Sequence, residues 1–147
     1  MGQGERTRSG VLKEYGNDHI VVTWEPAYCI HAANCLKAAP EVFDRSRRPW
    51  ILVEAANADR IAQAVMKCPT GALHFRRVDE GEQEPVPAET TVQPQTNGPL
   101  FLRGNLKFVN AKGDVIRETR AALCRCGQSS IKPFCDGTHQ TNGFQAP

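Results

Sequence analysis

Three cysteines and one histidine fall within 16 residues near the C-terminus: Cys124-Arg125-Cys126, then eight residues, then Cys135-Asp136-Gly137-Thr138-His139. The stretch is polar and rich in Gly and Pro, so buried structural cysteines are a poor account of it. Four metal-binding side chains this close oblige the chain to fold round metal. Zinc accepts a Cys3His set, but the usual pair spacing is C-x2-4-C, and C-x-C is tight for one tetrahedral ion. A two-iron cluster relieves the crowding, with Cys124 and Cys126 on one iron and Cys135 and His139 on the other. An imidazole ligand changes the potential and makes the site sensitive to protons.

The other three of the six cysteines lie in the first half. Cys29 and Cys35 are six residues apart, and Cys68-Pro69 is remote from both. A C-x2-C-x2-C run with a distant Cys-Pro is a ferredoxin arrangement, and here the middle position is Ala32. Three thiolates match the three irons of a [3Fe–4S] cluster. His31, one place off the usual ligand position, is the alternative: as a fourth ligand it completes [4Fe–4S], and otherwise it sits beside the cluster or faces water. In a reducing compartment, clustered cysteines are metal ligands rather than disulfides.

Charge divides the chain. Residues 78–98 hold five acids and no base, while residues 1–77 carry a net +3 and residues 99–147 a net +4. The acidic stretch contains Pro85, Pro87 and Pro94 with Gly81 and lacks apolar periodicity, which predicts a linker over 78–89 between units at 15–77 and 90–147. In the first unit, His19–Trp24 and Trp50–Val53 read as strands, Asn57 caps a helix from Ala58 to Lys67, and Leu73–Phe75 is a final strand. Ile61, Val65 and Cys68 follow one helical face. In the second unit, Leu100–Leu102 and Leu106–Val109 read as strands, with a turn at Lys112-Gly113-Asp114. His19 and His74 are expected as packing or surface residues, and Trp24 and Trp50 as core. Met1 to Gly10 is polar, without an apolar leader or a myristoylation site, and no apolar run reaches the ~20 residues of a membrane span. The expected location is cytoplasmic. The bases are dispersed without stacking aromatics, against a nucleic-acid groove.

Cys124-x-Cys126-x2-Ser129-x3-Pro133-x-Cys135-Asp136-Gly137-Thr138-His139 resembles the CDGSH-type, mitoNEET-like iron–sulfur domain at every defining position. The resemblance implies a [2Fe–2S] cluster held by Cys124, Cys126, Cys135 and His139 under a small β-cap. Ser129 and Asp136 are expected to orient the loop, and Gly137 to permit a turn. The segments Tyr28–Cys35, Arg48–Ile51 and Cys68–Leu73 resemble the divergent single-cluster bacterial ferredoxin domains, implying a [3Fe–4S] or [4Fe–4S] cluster on Cys29, Cys35 and Cys68. The fold class is thus α+β, a small ferredoxin-like domain followed by a β-rich CDGSH domain. With both sites filled, the formal charge of +2 falls to about −1.

No nucleophile–base set, phosphate loop or carboxylate dyad accompanies the cysteines, so the chain reads as a non-enzyme. The leading function is electron transfer with a reductase or oxidoreductase partner. The rival is a cluster carrier or sensor serving an apo-protein acceptor, and a zinc-stapled interaction module stands third. The chain is expected to act as a monomer or homodimer.

Overall fold

A computed structural model of the chain describes residues 11–147; the expectations for Met1 to Gly10 lie outside the described residues. Two three-stranded antiparallel sheets, one from each half, form the frame. In the first, β1 (Lys13–Gly16), β2 (Ile20–Trp24) and β3 (Leu73–Arg77) lie in the order β1-β2-β3. The β1–β2 turn closes on Asn17, whose Oδ1 accepts from the backbone N–H of His19 and Ile20 at 2.8 and 3.0 Å, an Asx turn. Between β2 and β3 come two helices, α1 (Asn34–Ala38) and α2 (Ala58–Val65). Asn57 caps α2, accepting from Arg60 N at 2.8 Å. Ile61 and Val65 are fully buried against Ile20, Val22 and Phe75 of the sheet. Burial of each such side chain stabilises by about 1.5–3 kcal/mol.

Three details differ from the sequence reading. Trp50–Val53 is not a strand: Ile51 forms one isolated bridge to Phe43, and Val53–Ala55 is a single 3-10 turn. A β-branched run needs a partner strand, and the sheet offers none there. α2 ends at Val65 rather than Lys67, and tightened bonds from Lys67 N to Ala64 O and Cys68 N to Val65 O carry Cys68 toward the core face. The short α1 has no sequence signal, since its flank at Ala33 is left-handed and carries no capping side chain.

The second sheet comprises β4 (Thr91–Pro94), β5 (Leu100–Val109) and β6 (Val115–Leu123), in that order. The two expected short strands are one, β5, with a register shift between Arg103 and Leu106. Gly104 sits in that shift, where an added Cβ would lie 3.0 Å from Thr90 Cα. The Lys112-Gly113-Asp114 turn joins β5 to β6, with Gly113 at φ 88°.

The halves share their interior. Tyr28 and Ala72 from the first half pack with Leu106, Ala121 and Phe134 from the second. Ile30 packs against Ala122 and Cys135. Arg120 of β6 is 1% exposed and reaches into the first half. Its Nη1 donates to Val65 O at 3.0 Å and Cys68 O at 2.8 Å, and its Nη2 to Leu73 O at 2.9 Å. Glu84, from the acidic stretch read as a linker, accepts from Arg120 Nη2 at 2.9 Å and from Thr119 Oγ1 at 2.6 Å. That segment therefore straps the halves together at Glu84 instead of merely spanning them. His74 is buried in the same network, 2.6 Å from Glu118 and 3.1 Å from Glu84.

Candidate iron–sulfur sites

Strand pairing places the first site. β2 runs out at Trp24 opposite the start of β3 at Leu73, and the pairing continues through Glu25 N to Ala72 O at 2.8 Å. Residues after β2 and before β3 therefore emerge at one end of the sheet. A hollow there is lined by Cys29, Cys35 and Cys68 together with His31, Arg45, Trp24 and Trp50. The loop between Cys29 and Cys35 curls round it with His31 at φ 61° and Ala33 at φ 66°. Left-handed backbone costs an L-residue roughly 1–2 kcal/mol, and such outliers gather at functional sites. Here they turn both cysteines into the same hollow. Burial, then the neighbouring Cys68 and Cys29, pushes the Cys35 thiol up to about 11. Cys35 thus resists ionising without a nearby positive group, and an iron–sulfur core is a positive group that fits a set of three thiols.

Arg45 hydrogen-bonds His31 Nδ1, and its Nη2 lies 3.9 Å from Cys29 Sγ. Arg45 therefore stands beside both His31 and Cys29 at the rim of the hollow. Thr70 is buried, its Oγ1 3.6 Å from Cys68 Sγ and 3.2 Å from Ala72 N, which donates to it. Neither Arg45 nor Thr70 stands out in the sequence; the one hint is that an anionic site needs a counter-charge, and residues 45–48 hold three arginines.

The second site grows from the end of β6. Cys124 N donates to Pro133 O at 2.9 Å, Cys135 N to Ala122 O at 2.8 Å, and Leu123 bridges Phe134. These pairings draw the Cys135 loop beside Cys124. Cys124 Sγ and Cys126 Sγ are 3.8 Å apart, and Cys135 Sγ is 3.4 Å from His139 Nδ1. Two ligands about 2.3 Å from one tetrahedral metal stand roughly 3.8 Å apart. Each pair thus has the spacing of one metal's ligands. Among the described residues, however, no three Cys, His, Asp or Glu side chains converge on one ion. The same holds of Cys29, Cys35 and Cys68 in the first site, so the structure shows pair spacings and not a preformed multi-ligand centre.

The surrounding loop supplies hydrogen bonds to sulfur. Gly127 N and Gln128 N donate to Cys124 and Cys126 at 3.3 and 3.5 Å, and Gly137 N to Cys135 at 3.3 Å. Burial opposes ionisation of Cys124, but backbone N–H donors of residues 127–129 outweigh it and lower its pKa. Cys135 is raised, chiefly by burial, and His139 is lowered, also by burial. Asp136 accepts from the backbone N–H and hydroxyl of both Ser130 and Thr138, between 2.6 and 3.0 Å. Those four bonds overcome the burial cost and hold its carboxyl well below the usual range. Ser129 Oγ donates to Phe134 O at 2.6 Å and accepts from Ile131 N at 3.1 Å. Both residues shape the loop, and Gly137 adopts φ 91° at its turn. Arg125, between the two cysteines, clamps Gly98 O and Gln95 O at 2.7 and 2.6 Å, a role its sequence position does not announce.

Comparison with known proteins agrees with this division. Residues 15–78 match the family described as "Divergent 4Fe-4S mono-cluster", and residues 97–140 that described as "Iron-binding zinc finger CDGSH type". The chain is 31% identical over 67 residues to "Uncharacterized protein YjdI" of Escherichia coli (strain K12), covering 46% of this chain and 88% of the relative. The protein of the same name from Escherichia coli O157:H7 gives the same figures. No helix among the described residues is long and apolar enough to cross a membrane. Both domain types are metal-binding carrier modules rather than catalytic ones. The chain thus belongs to the divergent mono-cluster 4Fe–4S family through its first half, with a CDGSH-type iron-binding domain fused behind it.

Proposed function

We propose that the chain is a two-cluster iron–sulfur protein that transfers single electrons to and from a redox protein partner. Cys29, Cys35 and Cys68 would hold a [3Fe–4S] cluster; Cys124, Cys126, Cys135 and His139 would hold a [2Fe–2S] cluster. Bound clusters supply one-electron redox chemistry. The observation that carries this reading is that Cys124 with Cys126, and Cys135 with His139, each lie at about the spacing of two ligands on one tetrahedral metal. Three thiols, with Ala32 at the position of the middle ligand, favour three irons over four in the first site. Both sites have exposed rims, at His31, Ala32 and Arg45 in one half and Gly127 and Gln128 in the other, where a partner can approach. The protein's own residues ligate, supply N–H donors to sulfur and, through Arg45, balance negative charge.

A second reading, transfer of the C-terminal cluster to an apo-protein, is supported by the only partly buried His139, a single imidazole among thiolates. One experiment separates them. The purified protein is offered a ferredoxin-type reductase and, separately, an apo-acceptor. Reversible bleaching with retained iron supports electron transfer; loss of iron to the acceptor supports the carrier.

A further inference from the structure

Building on that reading, we infer that the two sites form one electron-exchange unit, joined at Ile30 and Gln140. Ile30 directly follows Cys29, one proposed ligand of the first site. Its buried side chain packs against Cys135, a proposed ligand of the second. Its carbonyl accepts from Gln140 Nε2 at 3.1 Å, and Gln140 directly follows His139. From Cys29 to His139 the path therefore runs through two peptide-bonded neighbours and one hydrogen bond. Beside it, the Ile30 side chain lies in one buried cluster with Ala122 and Cys135. Electron tunnelling falls off exponentially with distance and is favoured by covalent and hydrogen-bonded routes over gaps. A second connection runs from Cys68 O to Arg120 Nη1 at 2.8 Å, but three residues of β6 then separate Arg120 from Cys124. The Ile30 junction is the shorter.

The step balances simply. With both sites loaded, one electron would pass from the reduced site to the oxidised one, with no bond made or broken. A partner docking at either rim then has access to both clusters, so that the chain can take an electron at one face and deliver it at the other.

The test uses the full-length, cluster-loaded protein and a light-activated one-electron donor (deazaflavin with a sacrificial amine) at less than one electron per chain. Rapid-freeze EPR and visible absorption then follow each cluster separately. The expected result is redistribution of the electron between the two clusters at a rate independent of protein concentration. Gln140→Leu should slow that rate severalfold with both absorption spectra and both midpoint potentials unchanged, and Ile30→Val, which trims the buried contact by one methyl group, should slow it less. Gln140→Glu, which keeps the size of the side chain and removes its N–H, should slow it likewise. Redistribution that scales with protein concentration overturns the inference, as does an unchanged rate in all three variants. A protein without two reducible clusters overturns the proposed function as well, whereas two clusters that each reduce but never exchange overturn this inference alone.

Discussion

Arg120→Met tests how the two halves are held. The side chain is 1% exposed and donates to three backbone carbonyls and to the Glu84 carboxylate, itself largely covered. Methionine fills similar volume but leaves Glu84 without the Arg120 cation and takes one donor from each of the three carbonyls. Removing one partner of a buried pair costs about 3–5 kcal/mol. Burial alone would raise the Glu84 pKa, but His74, Arg120 and Thr119 bring it from 4.5 down to about 2, so Arg120 accounts for part of the stability that this depression represents. Because the folded value is the lower one, this stability is complete above 4.5 and is lost as pH falls toward 2. Urea denaturation followed by far-UV circular dichroism at pH 7 should show a loss of about 3–5 kcal/mol, or a melting point lower by roughly 6–20 °C. Arg120→Lys should recover only part of it, since an ammonium cannot reproduce the forked donor. A loss below about 1 kcal/mol in Arg120→Met would refute the reasoning, because it would mean the network is wet and the halves are held by apolar contact alone.

Cys68→Ser should remove the visible absorption of the first site and leave that of the second, measured on the same sample by its iron content and spectrum. His139→Cys should slow bleaching of the second site at mildly acidic pH and lower its potential, because acid competes with iron for an imidazole and a thiolate brings more negative charge. Equal decay in variant and parent would show that His139 is not the weak ligand. Asp136→Ala removes the acceptor of four loop hydrogen bonds and should shorten the lifetime of the second site's absorption while far-UV dichroism stays unchanged. Asn57→Ala removes the α2 cap and should cost about 1 kcal/mol in urea denaturation without altering either spectrum.

The chemistry was far more legible than the assembly. Motif spacing is local, so the two iron–sulfur domain types could be read from the Cys124 to His139 run and from Cys29, Cys35 and Cys68-Pro69. Period and capping likewise announced α2 at Asn57, β2 and β3. What could not be read is what depends on distant partners. β6 carries Glu118 and Arg120 on buried positions, and sequence patterning treats such charges as a solvated face. Only the carbonyls of Val65, Cys68 and Leu73, far away in the chain, make sense of Arg120 there. Glu84 was hidden in the same way, inside a Pro-rich acidic stretch with every mark of a spacer. Trp50–Val53 erred in the opposite direction: its residues favour a strand, yet the tertiary structure uses them as core behind Phe43.

The most direct test is iron and acid-labile sulfide determination on anaerobically purified, full-length protein, with EPR on the same sample. Two clusters of the proposed types predict about five irons and six sulfides per chain, with the paramagnetic signal of an oxidised three-iron cluster that disappears on reduction. A colourless protein holding zinc without sulfide would contradict the account.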